Sequence, residues 1–310
     1  MARDMTNSSQ SADARRTYQE PVARLLDYGE CHLAGDGPAG LGWLDYVSDL
    51  ELTAEHVPEL IRLACDAALH TAESEDPAVW APTHAWRALG QLRAVEAVAP
   101  LLGLLRERAD DDWVDIELPY VFGLIGPGAV PHVTDFLADR SIPTEPLITA
   151  IRCLVEIAER NPSFRNECIG ILAHRLNCGA ENDPAVNGFL ISALIDLEAI
   201  ETIDVIRHAF DKQVVDLSIA GDVEDVEMEF GLRTRRSTPS PVYDPFFGNP
   251  LSDPAEVVSG AITGRNAEAS AGHRKVGRND PCPCGAINPK TGKVYKYKQC
   301  GLINAPWHKG

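Results

Sequence analysis

Several familiar signals are missing from this sequence, and each absence removes a class of function. No run of eighteen apolar residues occurs in its 310 residues, so no segment has the length and apolarity of a membrane-spanning helix. The opening stretch MARDMTNSSQSADARR lacks the apolar core of a secretory signal. There is no GxSxG nucleophile elbow, no HExxH and no GxGxxG. Gly285–Lys293 (GAINPKTGK) looks like a phosphate-binding loop, but six residues rather than four separate its glycines, and Val294 stands where Ser or Thr is needed. The eight cysteines do not form a disulfide framework. Five of them (Cys31, Cys65, Cys153, Cys168, Cys178) are scattered, mostly in apolar helical patterns, and read as small buried hydrophobes in a reducing cytoplasm. A cytoplasmic protein without a declared catalytic set is the expectation.

Charge is abundant but uneven. The net −18 is the sum of a tail, 273–310, with eight Lys or Arg and one Asp (+7), and the other 272 residues, with 20 basic and 45 acidic groups (−25). An acidic body argues against nucleic acid along its length. The basic tail suits RNA, an acidic protein partner, or the chain's own acidic surface.

Along the chain, residues 1–16 are polar and read as disordered. Apolar residues then recur at helical spacing. Val22, Leu25, Leu26 and Tyr28 give a first helix face, and Thr53 caps a helix through AEHVPELIRLACDAAL with a stripe of Val57, Leu60, Ile61, Ala64 and Leu69. From Asp76 the pattern repeats as helix, short turn, helix. Leu89, Phe122, Val155 and Ile195 hold equivalent places at spacings of 33, 33 and 40, with breaks expected at Gly90 and Gly126. No single unit of this size can bury its apolar face alone, so the units must stack. The pattern A-x-x-x-L-G-x-L followed by an apolar second helix resembles HEAT-like repeats between about Pro77 and Phe210. The predicted fold is all-α: an α-solenoid over 17–232, then a Pro/Gly/Ser-rich linker over 233–272, then a small module over 273–310. The linker's Tyr243, Phe246 and Phe247 are expected to clip onto the helical body.

The tail HRKVGRNDPCPCGAINPKTGKVYKYKQCGLINAPWHKG concentrates metal-binding chemistry. Cys282 and Cys284 flank Pro283, so one tight turn can present both thiolates. Cys300 follows sixteen positions after Cys284, and His308 eight after that. Thiolate and imidazole donors suit tetrahedral Zn²⁺, and the nearby Lys290, Lys293, Lys296 and Lys298 favour deprotonated sulfur. Free or redox-active thiols are the alternative. A segment this small has too little core to fold alone; a bound zinc would supply on the order of 10 kcal/mol.

VGRNDPCPCG followed by KYKQCG resembles the SEC-C metal-binding motif, named for the C-terminus of the SecA translocation ATPase. That family runs Cys-x-Cys, eight residues, Cys, then Cys or His. Here fifteen residues separate Cys284 from Cys300, and Gly301 cannot be a ligand, so His308 is assigned the fourth position. An acidic helical body ending in such a module also resembles a bacterial family to which no activity is attached. The resemblance implies a zinc-binding, non-enzymatic adaptor whose protein partner is a chaperone, the ribosome or other translation or secretion machinery. Arg274, Lys275, Lys293, Lys296 and Lys298 would present charge, and Trp307 a contact aromatic.

Two other readings start from different residues. RNA binding would use the basic tail. A metal-dependent hydrolase would use the acidic segment 216–229, where Asp222, Glu224, Asp225, Glu227 and Glu229 crowd together and Asp222, Asp225 and Glu229 share a helical face. The same segment also reads as a solvated end-cap helix or a dock for the basic tail. His84, His132, His174 and His208 would have to converge to act in catalysis, and Trp80, Trp86 and Trp113 read as packing anchors or groove linings.

Overall fold

The structure, a computed structural model, describes residues 17–31, 41–72 and 76–239. All regular structure among the described residues is helical. The helices divide into two units between Phe164 and Arg165, inside what the sequence reads as one continuous body.

The first unit contains a 3₁₀ helix (Val22–Asp27) and helices α1 (Tyr46–Asp49), α2 (Val57–Ala64), α3 (Ala67–His70), α4 (Ala81–Gln91), α5 (Val98–Glu107), α6 (Asp112–Ile125), α7 (Val130–Ala138) and α8 (Thr144–Arg160). Helix α2 packs on α4, α4 on α6 and α6 on α8. Helices α5 and α7 lie against each other, α5 touching α6 and α8, and α7 touching α8. Leu89, Phe122, Leu118, Leu101, Val133 and Leu154 fill the space between them.

One departure from the sequence expectation has a local cause. The helix predicted as AEHVPELIRLACDAAL stops at Ala64, because the Asp66 carboxylate accepts from the amides of Ala68 and Leu69 and starts α3 afresh. Leu63 takes the buried place expected of Ile61. The break expected at Gly90 comes one residue later, α4 ending at Gln91. A Cβ there would lie 3.3 Å from Leu124 Cδ1 and 3.4 Å from Val121 Cα, so the glycine is where α4 and α6 cross closely. Gly123 does the same between α6 and α8, where an added Cβ would meet Arg160 Cδ at 2.9 Å and the Glu156 carbonyl at 3.0 Å. The repeated apolar-Gly pair marks close helix crossings, which at Gly90 coincides with the end of α4.

The second unit, described over 165–239, contains α9 (Arg165–Asn177), α10 (Pro184–Asp196), α11 (Ile203–Asp211), α12 (Leu217–Ala220) and α13 (Val223–Glu229). Helix α9 packs on α10 and α11, α10 on α12, and α11 on α13. Its core is Cys168, Leu172, Leu190, Ile191, Leu194 and Ile206. Leu194, rather than the half-buried Ile195, occupies the core place the repeat spacing assigns. Asn187 is buried with its amide used on both sides: Nδ2 donates to the Gly179 and Val214 carbonyls at 2.9 and 2.7 Å, and Oδ1 accepts from Asn182 at 2.7 Å.

Aspartate opens the helices. Asp45, Asp66, Asp76, Asp111, Asp183, Asp216 and Asp222 each accept from a first-turn amide, which places part of the acidic surplus at the positive ends of helix dipoles.

Helix ends recur as well. After α1, α4, α10 and α11 the chain takes a left-handed residue at Glu51, Arg93, Glu198 and Gln213 (φ 50 to 55°). The next amide then reaches back five residues, as from Ala94 to the Leu89 carbonyl (3.1 Å) and from Ala199 to Leu194 (2.9 Å). This is the Schellman closure, normally given to glycine. After Glu51, Arg93 and Glu198 a three-residue 3₁₀ turn leads into the next helix, and Gly126 with Pro127–Ala129 plays the same part between α6 and α7. A left-handed L-residue costs roughly 1–2 kcal/mol, partly offset by the extra entropy that glycine loses on folding. Arg93→Gly and Gln213→Gly, both at exposed positions, should therefore stabilise by up to about 1 kcal/mol, and Arg93→Val should destabilise. Urea midpoints at unchanged slope are the measurement.

Candidate functional site

Cys282, Cys284, Cys300 and His308 lie outside the described residues, as do Tyr243, Phe246, Phe247, Trp307 and the tail's basic residues. Among the described residues, no group of three or more His, Cys, Asp or Glu is placed to hold a metal ion. Two polar clusters do stand out there, one in each unit.

The first is built on α4, which is buried from Ala81 to Gly90 on every face. His84, Arg87 and Gln91 follow at helical spacing and form a polar stripe that a buried helix cannot carry without partners. Each finds them. The Gln91 amide donates to the Leu44 carbonyl (2.7 Å) and accepts from the Tyr46 amide (2.9 Å). Arg87 forks onto Glu117 of α6, Nε to Oε2 at 2.7 Å and Nη2 to Oε1 at 2.5 Å, and its Cζ sits 4.9 Å from the centre of the Trp43 ring. Both side chains are removed from water (1 and 7 % exposed). Burial acts to lower the Arg87 pKa, but the Glu117 carboxylate outweighs it and keeps the guanidinium charged.

His84 Nε2 lies 2.8 Å from the Gly29 carbonyl, which can only accept, so Nε2 carries the proton. Nδ1 then accepts from the Tyr46 hydroxyl at 2.7 Å. Cys31 Sγ lies 3.4 Å from Nε2 and 3.7 Å from Nδ1. An in-plane approach to both nitrogens would drive the sulfur into Cε1, so it sits over the ring face. That is packing geometry, not the thiol–imidazole hydrogen bond of an activated nucleophile. Burial likewise pushes the thiols of Cys65 and Cys168 up to about 11, and that of Cys153 further. Cys31, Cys153 and Cys168 are buried, as the sequence reading has it, while Cys65 and Cys178 are half-buried.

The remaining histidines do not join His84. His132, His174 and His208 are exposed. Trp80 meets Trp113 edge-on at 5.2 Å beside Val79 and Cys31, and Trp86 stacks on His70 at 6.0 Å, so the tryptophans anchor packing.

The second cluster is the acidic segment. Asp222 caps α13 and Asp225 reaches back to the Asp222 amide (3.1 Å), a reciprocal capping box. The chain then folds back over α13. Arg236 grips Asp222 with Nη2 at 2.5 Å and Nη1 at 3.0 Å, and also bonds Asp225. Arg233 donates to Glu227 (2.9 Å) and Glu224 (3.0 Å), and Arg207 of α11 donates to Glu227 (2.8 Å). Glu224, buried, also accepts from the Ser237 and Thr238 amides at 2.9 and 3.1 Å and from both of their hydroxyls.

Two sequence expectations are corrected here. The carboxylates read as cation ligands are taken up by guanidinium, amide and hydroxyl donors, while Glu229 is exposed. Residues 233–238, read as the start of the linker, are the partners of this segment. The signal was present as Arg233, Arg235 and Arg236 next to the acidic run, but pairing across a reversal of the chain leaves no periodic trace.

No family model, curated protein or solved structure matches the chain.

Two predictions follow from the clusters. Removing one member of the buried pair, by Arg87→Ala or Glu117→Ala, should cost about 3–5 kcal/mol, because a lone charge is left in the core. Replacing both by apolar residues, Arg87→Met with Glu117→Leu, should cost much less than the sum; urea unfolding of the four proteins measures it. In the second unit, the Ser237 hydroxyl and the Ser237 and Thr238 amides hold Glu224 down at about 2 despite its burial, and Arg207 and Arg233 lower Glu227. Depressed carboxylates contribute above their ordinary range and lose that contribution as the proton returns. The fold-back over α13 should therefore persist at pH 5 and loosen as pH falls from about 4.5 towards about 2, read from the Ser237 and Thr238 amide resonances.

Proposed function

We propose that this chain is a zinc-carrying interaction adaptor: a HEAT-like α-solenoid that offers extended helical surface, joined by a linker to a SEC-C-like module that engages a protein partner. The observation that carries the reading is the pair Cys282-Pro283-Cys284-Gly285 and Lys298-Gln299-Cys300-Gly301 in a basic segment with little core of its own. The donor set fits the ion: three thiolates and an imidazole from His308 are soft and borderline ligands of the kind zinc takes in closed structural sites. Zinc bound there would organise the module's fold, while the lysines around it offset thiolate charge and present a cationic face. The recurring helix, left-handed turn, 3₁₀ turn and helix, together with the α4–α6–α8 succession, support the solenoid half of the proposal. The SEC-C resemblance directs the partner towards translation or secretion machinery.

Elemental analysis of the native full-length protein should find about one zinc per chain, with clear loss in Cys300→Ser and His308→Ala. A metal-free native protein whose tail resists protease equally with and without chelator would overturn the metal reading. Partner binding should be lost when 273–310 is deleted. Binding to RNA that falls steeply with salt would instead favour the nucleic-acid reading.

A further inference from the structure

The fold-back over α13 is held in an unusual way. Helix α13 has seven residues, too few to persist on propensity alone, and its one buried apolar side chain is Val226. Residues 231–239 add no buried apolar side chain: Leu232 is 47 % exposed, and only Arg233 and Arg236 are even half-buried. The strap is therefore fixed by charge and hydrogen bonds. Its partners are graded by position: Arg233 on Glu224 and Glu227, Arg236 on Asp222 and Asp225, and the Ser237 and Thr238 amides and hydroxyls on Glu224. Two arginines three residues apart, followed by two hydroxyl residues, are read by four carboxylates, two of which form the capping box.

We propose that residues 233–238 are a releasable strap, and that the acidic face of α13 beneath them is a docking surface for an arginine-bearing peptide of another protein, with Arg-x-x-Arg spacing. The chain's own segment shows which chemistry the face accepts. Forked guanidinium–carboxylate contacts give it register, and the lack of apolar anchorage lets a competitor replace the strap without opening the core. Ion pairs near the surface weaken with salt, whereas apolar burial does not, so the strap and the core must respond differently. The proposal uses none of the tail's candidate ligands, and its test does not depend on metal.

The probe is a fluorescent peptide with the sequence of residues 231–239, added to the full-length protein. Arg233→Ala/Arg236→Ala removes the strap's guanidinium contacts with Asp222, Asp225 and Glu227, leaving the Ser237 and Thr238 contacts on Glu224, Val226 and the capping box in place. That variant should bind the peptide at least about tenfold more tightly than the native protein at low salt, with most of the affinity gone by about 0.5 M salt. A peptide with both arginines changed to alanine should not bind. Equal binding to native and variant protein would mark charge attraction without a site, and no binding to the variant would remove the docking surface. Protection of the 223–229 amides in the variant is the control for loss of α13, and hydrogen exchange on the native protein tests the strap independently. Amides of 223–239 should exchange faster by about tenfold or more in high salt while those of α10 do not change; protection that is indifferent to salt would overturn the strap.

Discussion

A guanidinium and a carboxylate that are both withdrawn from water can coexist only as a pair. Arg87 and Glu117 make such a pair at the centre of the first unit, and much of that unit's arrangement depends on it. The fork fixes α4 against α6 in distance and in rotation, since both nitrogens must face both oxygens. It also fixes where α4 presents its neighbours. With Arg87 committed to α6, His84 and Gln91 point to the irregular segments around Gly29 and Leu44 and hold them by carbonyl and amide contacts. An apolar pair there would pack with less definition. The ionic stripe supplies that definition, because a slipped register leaves a buried charge alone.

The second unit solves its closing problem differently. Its core narrows towards α13, and the chain uses charge where apolar residues run out. Arg165, its first residue, donates to the Leu197 carbonyl at 2.6 Å and to that of Glu198 at 3.1 Å, supplying donors to the end of α10. Arg207, Arg233 and Arg236 pair with four of the five carboxylates between Asp222 and Glu229. The negative charge that the composition assigns to the body is thus partly internal, spent on helix caps and on this network.

Local regularities made much of the helical framework legible in the sequence. Leu89 and Phe122, one repeat apart, are both fully buried, and the second helix of each pair starts close to where the pattern places it. What escaped was nonlocal or depended on spacing between elements. Gly90 reads as a breaker, and α4 does end at Gln91, but the close approach of Leu124 and Val121 comes from another helix. The left-handed Arg93 and Glu198 carry no glycine to announce their turns. Asp66 looks like one more polar residue on a helix face until its side chain caps the next helix. The acidic run was conspicuous as a site, yet its partners lie across a chain reversal that composition had marked as linker.

The position of α4 within the chain has a consequence for synthesis. Arg87 leaves the ribosome thirty residues ahead of Glu117, whereas the contacts of His84 and Gln91 reach backwards to chain already made. The nascent N-terminal segments can thus find α4 early, but the helix carries an uncompensated cation until α6 follows. Desolvation of α4 must wait for that carboxylate, so the order of translation sets the order in which this core closes.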